Sequence, residues 1–170
     1  KVNSMVDPDL ISLLYDASRA GVKITLIVRG ICCLIPGIEG VSENITVISI
    51  VGQLLEHSRI FKFENGGEPV VYIGSADWMQ RNLDKRVELV FPVEDEDLKK
   101  RVFGMLDIMM NDTINARVQK SDMTYVMIDK RGKQPLNSQL EFYRLAKEAL
   151  EEVKNDRQQP MFVPKESENN

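Results

Sequence analysis

The stretch that decides the fold is DPDLISLLYDASRAGVKITLIVRG, residues 7–30, which joins an amphipathic segment to an apolar run. Asp7 and Pro8 suit the N-cap and the first position of a helix. Apolar residues then recur at helical spacing up to Gly21, a favoured helix-terminating residue. The following run, residues 22–29, is rich in β-branched residues and is typical of a buried strand. A helix that leads into a buried strand predicts an α/β layered fold.

Beyond residue 30, turn signals alternate with short apolar runs. Further strands are predicted over residues 45–50, 58–63, 70–73, 86–91 and 125–128. The segment Asn65-Gly66-Gly67 favours a hairpin between the second and third of these strands. One helix is predicted from the acidic stretch at residues 94–97 to about residue 109, and another over residues 138–154. We therefore expect a mixed central sheet flanked by helices.

The composition is that of one soluble globular domain, with 170 residues, 43% hydrophobic side chains and 28% charged ones. Residues 1–154 are assigned to this domain, and residues 155–170, which lack periodicity, to a flexible tail. No apolar run is long enough to span a membrane. The net charge of −4 argues against nonspecific binding to polyanions, so no nucleic-acid partner is expected.

The first residue of the chain and its cysteine content both favour a cytoplasmic fragment. The chain opens on Lys1 with neither an initiator methionine nor a signal-like run, so we expect a piece of a longer protein. Its two cysteines, Cys32 and Cys33, are adjacent, which is poor geometry for a bridge between them. With no disulfide framework, a reducing compartment is favoured. Both cysteines are interpreted as small buried hydrophobic residues.

The candidate chemistry centres on His57, the one histidine of the chain. A lone histidine is more often structural than catalytic, but His57 and Arg59 are two residues apart and project from one face of an extended segment. An imidazole beside a permanent cation suits the handling of an anion, because arginine grips phosphate oxygens while histidine exchanges a proton or phosphoryl group. After the hairpin, Gly74 permits close backbone approach and Ser75 offers a hydroxyl.

Arginines elsewhere are further candidates. Arg29 ends the buried strand just before a glycine-containing loop, the strand-end position at which α/β ligand sites form. An arginine that leaves the core and pairs with a surface carboxylate is an equally weighted alternative. Arg81 and Arg86 follow the turn formed by GSADW, residues 74–78. Either they line the site or they are solvated charges balanced by neighbouring carboxylates.

Two sets of motifs resemble known families. His57, Arg59, Glu64 and the segment Gly74–Asp77 resemble the phospholipase D pattern HxKxxxxDxxxxxxGSxN, with Arg59 for Lys, Glu64 for Asp and Asp77 for Asn. The segments VRGICCLIPG (28–37), ISIVGQLLEHSRIF (48–61) and GSADWMQRNLDKRVE (74–88) are similar to the last domain of polyphosphate kinases, in order and in spacing. This second resemblance runs from residue 2 to about residue 150.

The resemblance implies a phospholipase-D-like fold and a reversible transfer of the terminal phosphate of ATP to inorganic polyphosphate with Mg²⁺. In that family two such domains face one another. The first domain carries the histidine that becomes phosphorylated, and it also provides most of the contacts to the metal. The second domain supplies another histidine and an arginine. These map onto His57, as the proton donor or phosphate ligand, and onto Arg29. The predicted ATP- and phosphate-binding set is Arg29 and His57, which the resemblance implies, together with Arg59, Ser75 and Arg81, which the residue patterns suggest; no metal ligand is expected in this chain.

The implied partners are ATP or ADP, inorganic polyphosphate, the preceding catalytic domain and, in the full-length protein, further copies of the same chain. The implied location is cytoplasmic, with peripheral contact to a membrane also compatible. Two alternatives stay open. One is half of a phospholipase-D-like phosphodiesterase or nuclease, and the other is a phosphate-binding module without catalysis.

Overall fold

The computed structural model describes residues 1–156, which form the predicted mixture of helices and strands. In chain order the elements are α1 (Pro8–Arg19), β1 (Ile24–Ile27), β2 (Ile45–Ile50), β3 (Arg59–Phe63), β4 (Val70–Gly74), α2 (Gln80–Lys85), β5 (Val90–Pro92), α3 (Glu96–Met110), β6 (Ala116–Gln119), β7 (Tyr125–Met127) and α4 (Ser138–Asp156). The predicted flexible tail, residues 155–170, lies outside the described residues apart from its first two, which complete α4.

The strands divide between two sheets. A mixed four-stranded sheet has the order β1-β2-β6-β7, in which β1 and β2 are parallel and the other neighbours are antiparallel. The predicted hairpin forms a separate antiparallel sheet of order β3-β4-β5. The mixed sheet is thus confirmed, and the hairpin packs beside it as a second sheet.

Helix α1 begins and ends as its sequence predicts. The carboxylate of Asp7 accepts a hydrogen bond of 2.9 Å from the backbone N–H of Leu10, so it caps the helix, and Pro8 occupies the first turn. Gly21 follows the C-cap residue and has a φ of +87°, a left-handed conformation that glycine adopts without strain. The apolar face of α1 packs on a buried cluster that includes Leu26, Val28, Leu34 and Val47.

A second apolar cluster joins both sheets to α3. It combines Ile48 and Ile50 of β2 with Ile60 and Val71 of the hairpin and with residues of α3 such as Leu106 and Met109. Shared burial in this cluster fixes the hairpin against the four-stranded sheet. Along the part of the chain that the structure describes, no helix combines the length and the apolar character needed to cross a bilayer.

The N-terminal segment fills the space between the two sheets. Val2 forms a bridge with Val28, and Met5 forms bridges with Cys32 and Trp78. The backbone N–H of Gly30 donates to the carbonyl of Asn3 at 2.8 Å, and that of Trp78 donates to the carbonyl of Ser4 at 3.1 Å. This segment therefore brings the end of β1 close to the GSADW turn, although the two are almost fifty positions apart in the sequence.

Three local predictions are corrected. The strand predicted over residues 22–29 is limited to Ile24–Ile27: Val22 is exposed, and Val28 forms an isolated bridge with Val2. The strand predicted over residues 86–91 is replaced by Val90–Pro92. Cys32 is buried as predicted, whereas Cys33 is exposed, because successive side chains of an extended segment point to opposite sides.

Candidate functional site

The imidazole of His57 is held by the side chain of Arg59. Arg59 is the first residue of β3, and its Nη1 lies 3.0 Å from Nδ1 of His57 and donates to the His57 carbonyl at 2.9 Å. Because a guanidinium only donates hydrogen bonds, Nδ1 of His57 must accept. The neutral ring then carries its proton on Nε2. His57 is exposed, so this Nε2–H is available to an incoming ligand.

Arg59 itself is bound to Asp77, in the turn after β4. Its Nε and Nη2 donate to the two carboxylate oxygens at 3.3 and 2.7 Å, and the two side chains are only 11% and 10% exposed. Asp77 Oδ1 also accepts from the backbone N–H groups of Asn3 at 2.6 Å and Ser4 at 3.3 Å. Burial alone would raise the pKa of Asp77, but the hydrogen bonds from Arg59 and Asn3 outweigh it and lower the pKa. Asp77 therefore remains a carboxylate that holds Arg59 in place.

Arg29 lies two residues beyond β1 and is half-buried. Its Nε donates to Oδ1 of Asn3 at 3.1 Å, and its carbonyl accepts from the hydroxyl of Ser49 at 3.3 Å. Within residues 1–156, Arg29 forms no ion pair with a carboxylate, unlike the surface pair considered as an alternative. A neutral amide thus orients the guanidinium, and no carboxylate of residues 1–156 neutralises its charge.

Asn3 connects the two halves of this arrangement. Its backbone N–H binds Asp77 and its side-chain oxygen binds Arg29, while the residue as a whole is only 4% exposed. Its Nδ2 is buried without a hydrogen-bond partner among the residues that the structure describes. A buried amide that is only half satisfied costs stability. No sequence pattern pointed to Asn3.

Lys1 braces the segment that carries His57. Its Nζ donates to the backbone carbonyls of Glu56 at 3.4 Å and Ser58 at 3.1 Å. The Lys1 side chain is 2% exposed, and burial lowers its pKa, although the carboxylate of Glu56 acts in the opposite direction. Arg29 and Arg59 lower the same pKa further, which places all three cations in one electrostatic neighbourhood.

Ser75 and Arg81 lie in the same turn region but have other contacts. The Ser75 hydroxyl donates to Glu88 and accepts from the backbone N–H of Leu89 at 3.1 Å. Glu88 also accepts from Asn82 at 2.5 Å, and the hydrogen bonds from Ser75 and Asn82 lower its pKa. Arg81 is exposed on α2. The hydrogen bonds and ion pairs of residues 1–156 do not link either residue to His57, and their binding roles stay predictions.

Glu64 stands at the aspartate position of the phospholipase D pattern. It lies at the hairpin turn, where it forms an ion pair of 2.7 Å with Lys62. The acid that binds Arg59 is Asp77, at the position where that pattern has asparagine.

Comparisons with known proteins agree with the motifs. The family described as polyphosphate kinase C-terminal domain 2 matches residues 1–139. The chain is 53% identical over 150 residues to the polyphosphate kinase of Lactiplantibacillus plantarum, which covers 88% of this chain and 21% of that protein. It is 54% identical over 156 residues to the polyphosphate kinase of a Synechocystis species, which covers 92% of this chain and 21% of that protein.

A solved structure gives the same result. The crystal structure of polyphosphate kinase from Porphyromonas gingivalis matches with a TM-score of 0.84 and 43% identity, over 88% of this chain and 23% of that one. The chain thus spans about a fifth of the length of the curated relatives it matches. These comparisons confirm the predicted family and its α/β fold of the phospholipase-D-like type. The chain belongs to the polyphosphate kinase family and corresponds to the second C-terminal domain of these proteins.

Proposed function

We propose that this domain forms one side of a shared site that transfers the terminal phosphate of ATP reversibly to inorganic polyphosphate. Membership of the kinase family supports the reaction, and the match to about a fifth of each relative supports a site completed by other domains. In this proposal the preceding catalytic domain carries the histidine that becomes phosphorylated. This domain binds phosphate oxygens and handles a proton.

The observation that carries the proposal is the continuous set of contacts from Arg29 through Asn3, Asp77 and Arg59 to His57. Arg29 presents a fork of N–H donors that can neutralise charge on the transferred phosphate. His57 presents Nε2–H, which can donate a hydrogen bond to the departing nucleotide or to a phosphate oxygen. To transfer a proton, the ring has to bind a second proton at Nδ1 in place of its contact with Arg59. Arg59, predicted as a phosphate ligand, acts mainly by orienting His57, since two of its nitrogens are already bound to Asp77.

Magnesium is assigned chiefly to the preceding domain. Residues 1–156 contain no group of three or more histidine, cysteine or acidic side chains arranged to hold a metal ion. The donors that this chain directs at the site are cationic or neutral, and they suit phosphate oxygens better than a metal. When bound, Mg²⁺ would neutralise charge on the nucleotide phosphates. The role proposed for this chain is to bind phosphate oxygens and to handle a proton.

The remaining partners follow from the same proposal. The substrates are ATP or ADP and inorganic polyphosphate, and the protein partner is the preceding domain of the same chain. Homo-oligomeric assembly of the full-length protein and its cytoplasmic location are further predictions.

The test is a comparison of the full-length protein with its Arg29→Ala variant. We expect ATP-dependent formation of polyphosphate by the wild type and a large loss of turnover in the variant. Arg19→Ala is the matched control, because Arg19 is an exposed arginine paired with Asp16 at the far end of α1. Hydrolysis of a phosphodiester without ATP would favour the phosphodiesterase alternative. Binding of phosphate without turnover would favour the binding-module alternative.

A further inference from the structure

A cleft of about 520 Å³ brings Arg29 together with a second arginine, Arg117 of β6. The residues that line the cleft include Arg29, Ser49, Asn115, Arg117, Tyr125 and Met127. No family motif in the sequence involves Arg117, and the site described above does not use it.

Sheet register places the side chains of Ser49, Arg117, Met127 and Tyr125 on one face of the four-stranded sheet, and Arg29, beyond the end of β1, lines the same cleft. Ser49 of β2 pairs with Arg117, and Arg117 pairs with Met127 of β7. Directly paired residues of neighbouring strands project from the same face, and so do residues two positions along, such as Tyr125. Strand β2, whose Ser49 hydroxyl donates to the Arg29 carbonyl, lies between β1, which Arg29 follows, and β6, which carries Arg117. Their backbones are thus separated by two strand spacings, or about 9–10 Å.

This face is covered at one end and open at the other. Ile45 and Val47, at the start of β2, are buried in the cluster under α1. Ser49 and Val51, on the same face, lie beyond that helix, where Ser49 is half-buried and Val51 is 66% exposed. The opening is therefore at the carboxyl ends of the parallel strands β1 and β2, which is the usual place for a ligand in an α/β sheet.

The cleft is locally positive in a protein whose net charge is −4. Both charged residues that line it are arginines, and none of its lining residues is acidic. In the part of the chain that the structure describes, neither arginine forms an ion pair. Two unneutralised guanidiniums that face one cleft favour an anion with more than one phosphate group.

The wall opposite Arg29 is held rigidly. The Tyr125 hydroxyl donates to Oε1 of Gln119 at 3.1 Å, and Nε2 of Gln119 donates to the carbonyl of Leu34 at the same distance. Gln119 is 3% exposed, so this anchor is buried. The Tyr125 hydroxyl thus already donates its hydrogen bond to Gln119. Arg117 is therefore the side chain that can bind an anion on this side of the cleft.

We propose that the cleft between Arg29 and Arg117 binds the linear phosphate chain of inorganic polyphosphate, with Arg117 as a second phosphate-binding residue. The inference rests on the proposed function of Arg29 and extends it away from the reacting phosphate. A chain of phosphates carries charge over the full distance between the two arginines. A single phosphate group held at Arg29 does not.

The test is calorimetric binding of linear pentaphosphate, and separately of ATP, to the full-length protein and to its Arg117→Gln variant. We expect the variant to bind pentaphosphate about 10- to 100-fold more weakly, because hydrogen bonds to a charged group are lost. Its affinity for ATP should change less than about threefold, since that contact is made at Arg29. Arg101→Gln is the matched control, because Arg101 is an exposed arginine of α3 outside the cleft.

A pentaphosphate affinity within about twofold of the Arg101→Gln control would overturn the inference. An equal or larger loss of ATP affinity would also overturn it, because the cleft would then be part of the nucleotide site. Arg117→Lys keeps the charge and should recover part of the affinity, which guards against a folding defect in the glutamine variant. The proposed function fails separately, if the wild-type protein forms no polyphosphate from ATP or if Arg29→Ala keeps full turnover.

Discussion

Arg59 binds Asp77 through both carboxylate oxygens, at 3.3 and 2.7 Å, and its third nitrogen lies 3.0 Å from Nδ1 of His57. The carboxylate fixes the guanidinium, and the guanidinium fixes the ring. Since Nδ1 has to accept a hydrogen bond from Arg59, its lone pair is occupied. The arrangement suits a histidine that donates from Nε2 and does not favour one that becomes phosphorylated at Nδ1.

Removal of the imidazole should therefore impair transfer and leave the fold intact. In the full-length protein, His57→Ala should lower turnover by roughly 10²–10⁴-fold if the ring acts as a general acid, a role that requires it to be protonated at Nδ1 as well and to release Arg59 during turnover. Its melting temperature should stay close to that of the wild type, because His57 is exposed and contributes little packing. Steady-state kinetics with thermal unfolding measures both. Unchanged turnover with a lowered melting temperature would make His57 a structural residue.

Asp77→Asn tests whether Asp77 acts through His57. The amide cannot hold Arg59 as a charged pair, so the ring loses its support, and turnover should fall about tenfold or more. In a His57→Ala background the same change should have little further effect on turnover, because residues that act as a unit are non-additive. The measurement is turnover of the two single variants and the double variant. An equal factor in both backgrounds would show that Asp77 serves only the fold.

The local elements of this fold were predictable because their signals are local. Helix α1 has its cap, its apolar period and its terminating glycine within residues 7–21, and β2 lies where it was predicted, at Ile45–Ile50. Helix α2 was missed because it is six residues long and Met79, at its N-cap, provides no side-chain hydrogen bond. Strand β6 was missed because its four residues, ARVQ, form a strand only through pairing with β2 and β7.

In the site, too, contacts between residues near in sequence were predictable and contacts between distant residues were not. His57 and Arg59 were predicted to act together because they are two positions apart in an extended segment, and their side chains do meet. The bond between Asn3 and Asp77 joins residues 74 positions apart, so no local pattern could indicate it. The place of Arg117 beside Arg29 likewise depends on strand order, which the sequence alone does not specify.

Acid should destabilise the domain through Asp112. Its buried carboxylate accepts from the backbone N–H groups of Ile114, Asn115 and Ala116 and from Ser138. Burial alone would raise the pKa of Asp112, but these hydrogen bonds, led by that of Ser138, lower it. A pKa that is lower in the folded state gives stability above the unfolded value of about 4, and this stability is lost as pH falls through the folded pKa.

Asp112→Asn should accordingly lower the free energy of unfolding of the domain by about 2–4 kcal/mol at pH 7, since an amide donor then faces the donors of Ser138. The difference from the wild type should shrink as the pH is lowered from 7 to 3. Urea denaturation at several pH values measures this dependence. Asp84→Asn, at an exposed position of α2, is the control and should change the free energy by no more than about 0.5 kcal/mol. A difference that is constant with pH would contradict the proposed ionisation.

The 170-residue chain by itself should not synthesise polyphosphate at a useful rate. The proposed site is shared, and the histidine that accepts the phosphate is assigned to the preceding domain. Weak binding of nucleotide or polyphosphate remains compatible with the two arginines of the cleft. The measurement is polyphosphate formation from ATP by the purified chain, beside the full-length protein as a positive control. Robust synthesis by a preparation free of contaminating kinase would overturn the shared site.

Arg29→Lys separates the charge of Arg29 from its shape. Both side chains are cationic, so a purely electrostatic role would survive the change with a modest loss. The proposed role requires a planar fork at a fixed angle, oriented by the 3.1 Å bond to Asn3, and the single ammonium of lysine cannot reproduce it. We expect the Arg29→Lys variant of the full-length protein to lose about 2–4 kcal/mol of transition-state stabilisation, similar to deletion of one preorganised donor.

The loss in Arg29→Lys should affect the rate of transfer as well as the Michaelis constant for ATP, because charge shifts as the bond breaks. Steady-state kinetics on Arg29→Lys and Arg29→Ala in the full-length protein decides between the two roles. Near-normal turnover with lysine but not with alanine would mean that charge suffices, and the fork would be the wrong description. Wild-type turnover in both variants would show that Arg29 takes no part in the transfer. The hydrogen bond from its Nε to Asn3 would then serve only to hold the end of β1 against the N-terminal segment.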